Sequence, residues 1–253
     1  VEITAGFGKA REAAERALQS EPDLAEGHAA LGQIRMWHDW DWDGADESLR
    51  RALELAPGDA QVIRDTGVLA GNLGRSEEAL ALVRRAVALD PLSAPAHRSL
   101  ARLCVLADLL DEAEAAGQKA LELNPKGGFT HFWLGLVRLG QGRLDEALEI
   151  VQRETHETFR LLGLTLVQHA RRRPAESDAA LQELIEKNAA GAAHQIAEAY
   201  AYRGETDLAF EWLERAYAQR DTGVAIMKVS PPLRNLHGDP RWQPFLEKMG
   251  LAD

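Results

Sequence analysis

Apolar and small residues recur along most of this chain at steps of three and four, which gathers them on one face of an α-helix. Leu31, Gly32 and Arg35 show the step, and Leu134, Gly135 and Arg138 repeat it further on. Such stretches end in a turn signal, as at Gly74-Arg75-Ser76 and Gly142-Arg143-Leu144-Asp145. There a helix-breaking glycine meets a polar residue suited to cap the next helix. A second helix follows, carrying alanine, a large apolar residue and alanine, and it stops before a proline. The predicted unit is a helical hairpin whose small residues let its two helices approach closely.

The hairpins repeat. Prolines fall at Pro22, Pro57, Pro91 and Pro125, spaced 35, 34 and 34 residues apart. Five residues before each stands an alanine, namely Ala17, Ala52, Ala86 and Ala120, within the strings RALQSEP, RALELAP, RAVALDP and KALELNP. Gly32, Gly67 and Gly135 keep the same register, with Ala101 in the slot between, and so do Ala45, Ala79, Ala113 and Ala147. A lone hairpin cannot bury its apolar face, so neighbours must stack on it.

The pattern resembles the tetratricopeptide repeat, whose L-G…A…F…P scheme is met by Leu31, Gly32, Ala45, Leu49, Ala52 and Pro57. The resemblance implies an all-α, right-handed superhelical solenoid of helix-turn-helix units with a C-terminal capping helix. Residues 1–253 then form a single array, with full units at about 25–59, 60–93, 94–127 and 128–157. Weaker units follow at about 158–189 and 190–223. Ser177 and Leu181 hold the second-helix slots of the fifth, and Tyr200, Gly204, Ala209, Leu213 and Ala216 restore the form in the sixth. Residues 9–22 read as the second helix of an incomplete unit. That, with Val1 in place of a methionine, leads to the expectation of a region excised from something longer. In 224–253 the period breaks at Ser230-Pro231-Pro232, and Asp239-Pro240 opens a short helix with Trp242, Phe245, Leu246 and Met249 on one face. This segment is expected to cap the last unit.

Two short segments, Trp40-Asp41-Trp42-Asp43 and Gly238-Asp239-Pro240-Arg241 with Met249-Gly250-Leu251, are similar to stretches in repeat regions attached to bacterial class III adenylyl cyclases and to some winged-helix regulators. That resemblance implies a regulatory or scaffolding region downstream of an effector domain.

Charge and composition narrow the chemistry. At 45% hydrophobic and 27% charged residues the chain is globular, and a net charge of −11 argues against nucleic acid as the main partner. The single cysteine, Cys104, excludes an internal disulfide and reads as a buried, inert thiol. No membrane span or signal peptide is legible, so the expectation is a reducing, cytoplasmic compartment. Neither a phosphate-binding glycine loop nor a nucleophile motif is present, so neither catalysis nor a cofactor is expected.

Metal readings fail on spacing. Asp39 to Gly44 opens like a calcium loop, but Arg50 stands where a bidentate glutamate is needed, and Asp43 is free to cap the following helix. Trp40 and Trp42 then read as apolar plugs in an enlarged turn. His28, His97 and His131 share one register, but equivalent slots in stacked units lie about 10 Å apart, too far to share one zinc ion. They read as packing residues.

The concave face, lined by the first helices, is the expected binding surface. Groove positions lie one residue past the core slots, because each residue advances the helix by about 100°. The rule selects Arg64, Arg98 and Arg102, with Asp65 and Asn72 beside them, then the apolar set Phe129, Phe132, Leu136 and Leu139, followed by Leu162 and Leu166. In one reading a peptide or partner segment lies in this groove, its acidic groups or carboxy terminus on the arginines and its apolar side chains on the phenylalanine–leucine stretch. In the other the stretch is filled by a second copy or by an attached effector, such as a nucleotide cyclase or transcription regulator, which predicts a homodimer. A third has a small molecule sensed by the aromatic and basic groups together.

Overall fold

The computed structural model describes residues 2–252, with side chains over 6–252. Helix α1 (Glu2–Ser20) precedes six helical hairpins: α2 (Ala25–Ile34) with α3 (Trp42–Leu55), α4 (Ala60–Asn72) with α5 (Ser76–Leu89), α6 (Ala94–Leu106) with α7 (Leu110–Leu123), α8 (Thr130–Gly140) with α9 (Leu144–Val151), α10 (Glu157–Ala170) with α11 (Pro174–Asn188), and α12 (Ala193–Tyr202) with α13 (Thr206–Ala218). Two 3₁₀ segments, Thr222–Val229 and Pro231–Leu236, lead to α14 (Trp242–Lys248). Among the described residues there is no strand. The sequence is all-helical because every unit presents one apolar stripe and no alternating run.

The turn inside each hairpin has a common mechanism. After α4, Gly74 takes φ +84°, a left-handed conformation that costs glycine nothing. Its N–H then bonds the carbonyl of Gly71 (3.1 Å) and that of Arg75 bonds Ala70 (2.9 Å), so two orphan carbonyls are satisfied. Asp108 and Arg172 hold the same slot at φ +58° in the third and fifth units without being glycine. The polar residues expected to cap the second helices do not do so. Arg75, Leu109, Arg143 and Glu205 stand at those N-caps without a side-chain bond, because the turn's backbone already does the work. Side-chain capping falls instead on the first helices, where Asp59 accepts from Gln61 and Val62, and Ser93 from Ala96.

Close approach is the second device. A Cβ on Gly67 would lie 2.8 Å from Val83 Cγ2, 3.0 Å from Leu82 Cβ and 3.2 Å from the carbonyl oxygen of Ala79. Helix α5 therefore packs onto α4 at a distance that only glycine permits. In the fifth unit Ser177 replaces the usual alanine, fully buried, and satisfies its hydroxyl on the carbonyl of Thr165 at 3.0 Å.

The first unit departs from this scheme. A π-helical turn, Arg35–Asp39, prolongs α2, and Trp40 follows at φ +59°. Asp41, rather than Asp43, caps α3, accepting from the backbone of Gly44 at 3.0 Å. The extra residues swing both tryptophans inward, and Trp40 and Trp42 are buried. There they meet the other end of the chain. Trp42 Nε1 donates to the carbonyl of Met249 (2.7 Å), Arg220 lies 4.6 Å over the Trp40 ring, and Tyr217 packs on Trp40 at 5.4 Å. Trp242, Phe245, Leu246 and Met249 share one apolar core with Met36, Trp42 and Leu49 of the first unit and Leu213 of the last. The C-terminal segment thus does more than cap the sixth unit, because it joins the last unit to the first and closes the superhelix.

Candidate functional site

The concave face is partly occupied by the chain itself. Residues 222–229 lie along α4, and residues 231–236 lie against α12. Arg234 reaches across to Asp108 (3.0 Å) and the carbonyl of Leu106 (3.3 Å) at the far end of α6. That end of the channel, where the first helices terminate, is covered. A cleft of about 360 Å³ remains beside it, lined by Leu136, Leu139, Tyr202 and Pro231-Pro232 among others. Leu136 and Leu139 are half-buried there.

The apolar stretch expected on an open groove is largely core. Phe132 is 1% exposed, and Leu162 and Leu166 are fully buried. Phe132 packs edge-on against Trp133 (5.3 Å) and Phe159 (5.1 Å). Around Phe132 the neighbouring side chains of the array itself fill the space.

The arginine set does assemble, on α4 and α6. Arg64 donates twice to Oδ1 of Asp65, from Nε (2.9 Å) and Nη2 (2.6 Å). Asp65 is buried, and burial raises its pKa against the pull of Arg64. Arg98, one turn before Arg102, lies 5.9 Å over the Phe129 ring. Its pKa is lowered by burial and then by Arg64, with Glu154 opposing. Arg102 Nη1 donates to Asn72 Oδ1 (2.9 Å), and Asn72 is held in turn by Met36 Sδ (3.5 Å). Arg102 Nη2 is out of contact with solvent and has no partner. Burial, then the like charge of Arg98, pushes the Arg102 guanidinium down to about 10.

Beside the arginines stands an aromatic cluster anchored by a residue the sequence reading missed. Phe129 adopts φ +70° and packs on Phe159 (4.8 Å) and His156 (4.9 Å). Buried Glu154 accepts from the backbone N–H groups of Phe129 (3.0 Å), Phe132 (3.1 Å) and His156 (2.9 Å), so its carboxylate caps α8 from the next turn. One signal existed: Gly127-Gly128-Phe129 lacks the Asp or Ser that caps α4 and α6, so the cap had to come from elsewhere.

The periodic histidines also have a specific task. His28 Nε2 bonds the carbonyl of Pro22 (2.9 Å) and His97 Nε2 that of Pro91 (3.0 Å), six residues earlier in each case. Each ties its helix to the proline turn before it. At His131 the diglycine turn alters the geometry, and Nδ1 is left buried without a partner. No group of three metal-ligating side chains exists among the described residues. Cys104 is buried, and burial pushes its thiol up to about 12.

The stacked hairpins agree with a family profile described as tetratricopeptide repeat, which matches residues 64–128. Over those residues the hairpins match the tetratricopeptide repeat. Solved structures of similar architecture span the rest of the chain. A tetratricopeptide repeat protein from Parabacteroides merdae ATCC 43184 has a TM-score of 0.64 at 17% identity, covering 92% of this chain and 93% of that one. The type IV pilus biogenesis factor PilW has a TM-score of 0.63 at 22% identity, covering 74% and 89%. The APC/C hetero-tetramer Cut9–Hcn1 has a TM-score of 0.65 at 13% identity, covering 96% of this chain and 46% of that one. At these identities the likeness is one of fold. Curated protein sequences return no significant match. Tetratricopeptide proteins are in general non-catalytic, and the array has the architecture of a protein-interaction scaffold. No helix among the described residues is long and apolar enough to cross a membrane.

Proposed function

We propose that this array is a non-catalytic scaffold that holds a partner protein through an acidic segment at the arginine-lined end of its concave face. The observation that carries the reading is Arg98. It is a half-buried guanidinium on the concave surface of a chain with net charge −11, and it makes no hydrogen bond to any carboxylate among the described residues. Arg64 stands beside it with a fifth of its side chain exposed. Phe129, Phe159 and His156 supply an apolar flank on which a neighbouring side chain can rest.

A carboxylate suits this place because a guanidinium donates two parallel hydrogen bonds in a fixed plane. Each such bond contributes about 1.5–3 kcal/mol, less where water competes. The partner contact is an end-on one. Residues 231–236 cover the other end of the channel, so an extended segment meets Arg64, Arg98 and Phe129 without running the full length of the groove.

The test is capture of partners by the purified chain beside the double variant R64E/R98E, with circular dichroism confirming that both are helical. A partner retained by the parent and lost from the variant supports the reading. A partner retained equally by both moves the binding surface away from these arginines and sinks it.

A further inference from the structure

We propose that the interior of the concave face contains a binding site for a small tetrahedral oxyanion, of the phosphate or sulfate class, with Arg102 as its innermost residue. This goes beyond the partner surface, which needs only the more exposed Arg64 and Arg98.

Three guanidinium groups gather on α4 and α6, and one carboxylate, Asp65, is bonded to one of them. Glu154 acts on Arg98 as well, so three guanidiniums face two carboxylates and the local excess is one positive charge. Elsewhere in this chain, buried or half-buried arginines meet carboxylates, as Arg138 meets Glu114 and Arg203 meets Asp178 and Glu205. Arg102 does not. Among the described residues its one hydrogen bond is to a neutral amide, the charge acting on it is another arginine, and Nη2 is buried without an acceptor. A buried guanidinium N–H without an acceptor costs free energy that folded proteins rarely tolerate away from a ligand site.

The shape of the missing acceptor follows from the donors. Arg98 and Arg102 approach from successive turns of α6, and Arg64 approaches from α4. A carboxylate presents two oxygens in one plane, so it serves one guanidinium fork well and a second poorly. A tetrahedral oxyanion presents oxygens in several directions and can meet donors from both helices, and its negative charge offsets the local excess. The ligand must be compact, because Arg102 Nη2 lies out of solvent and one end of the channel is covered by 231–236.

The experiment is calorimetric titration of the purified chain with inorganic phosphate, with sodium chloride and acetate at matched ionic strength as controls and glycerol phosphate as a second arm. The expected result is saturable one-site binding of phosphate without equivalent heat from chloride or acetate. Glycerol phosphate binding as tightly assigns the site to a phosphomonoester, and its exclusion assigns it to the free ion. Arg102→Met should weaken phosphate by at least about tenfold, since it removes charge-assisted bonds. Its melting temperature in phosphate-free buffer should be unchanged or higher, because an unpaired buried charge is gone. Arg84→Met, at an arginine on α5 paired with Glu112, should bind as the parent does. If Arg102→Met does not fold, Arg98→Gln reads the same site, since Arg98 has no polar partner to lose. Phosphate heats indistinguishable from chloride, or equal phosphate affinity in parent and variant, overturn the proposal. Neither outcome bears on partner capture by R64E/R98E.

Discussion

The second and third units and the seam between the first unit and the last are both well buried, yet they are held in different ways. In the middle of the array most contacts join helices one or two positions apart in the chain and recur with the period, although 222–229 also lies along α4. Gly67 against Val83 and Leu82 is one such contact, and the histidine-to-proline-carbonyl bond is another. At the seam the partners are far apart in the chain, some 207 residues in the case of Trp42 and Met249. A repeat array is close to one-dimensional, with stability summed over neighbours. Closing it into a ring adds a term of another kind, which every unit between the two ends supports and which fails as a whole when either end lets go.

The largest expected effect is therefore at the seam. Trp42→Ala removes a buried indole and its bond to Met249, which should cost about 3–5 kcal/mol. Limited proteolysis should then cut within 222–236 before it cuts α4 to α7, and early cleavage in the middle instead would mean that the seam does not hold the ends together.

A substitution in the middle sharpens the contrast. Gly67→Ala gains about 1 kcal/mol in helix propensity. It loses about 1–3 kcal/mol to overpacking, since the neighbours at Leu82 Cβ and the Ala79 carbonyl are too short-tethered to move aside. A net loss of about 1 kcal/mol by chemical denaturation is expected, with the tail still protected from protease. A gain in stability would mean that the two helices separate more easily than their packing indicates.

The smallest effect is a pH dependence confined to the seam. His194 is fully buried, with Nε2 3.4 Å from Glu198, whose carboxylate also accepts from Ser230 of the C-terminal segment. Asp221 bonds the backbone of both His194 (3.0 Å) and Gly223 (2.9 Å). Burial opposes protonation of His194, but Glu198 and then Asp221 outweigh it and raise its pKa. A raised folded-state pKa means stabilisation fully present below the unfolded histidine value and lost as pH rises through the folded one. The melting temperature should drift downward as pH rises beyond about 6.5, and His194→Gln should flatten that drift. An unchanged slope in the variant would assign the drift to other groups.

Much of the fold was legible because its contacts are local. The 34-residue period predicts the hairpins, and the Gly67 slot and the proline stops locate their helices. The arginines Arg64, Arg98 and Arg102 were found by stepping one residue from the core positions, and the structure gathers them on α4 and α6. The same step failed at Phe132, Leu162 and Leu166, since whether a concave position faces water depends on how far the superhelix closes. Glu154 was missed because it caps a helix that begins 24 residues before it.

The sequence alone determined the repeating unit, its turns and the face on which charge gathers, because each depends on residues within about one repeat length of one another. Tertiary structure decided the rest: that the ends meet through Trp40, Trp42 and the C-terminal segment, that Phe132, Leu162 and Leu166 become core, and that Arg102 Nη2 is left buried without an acceptor. These depend on small rotations between neighbouring units summed over the whole array, a quantity that no single repeat encodes.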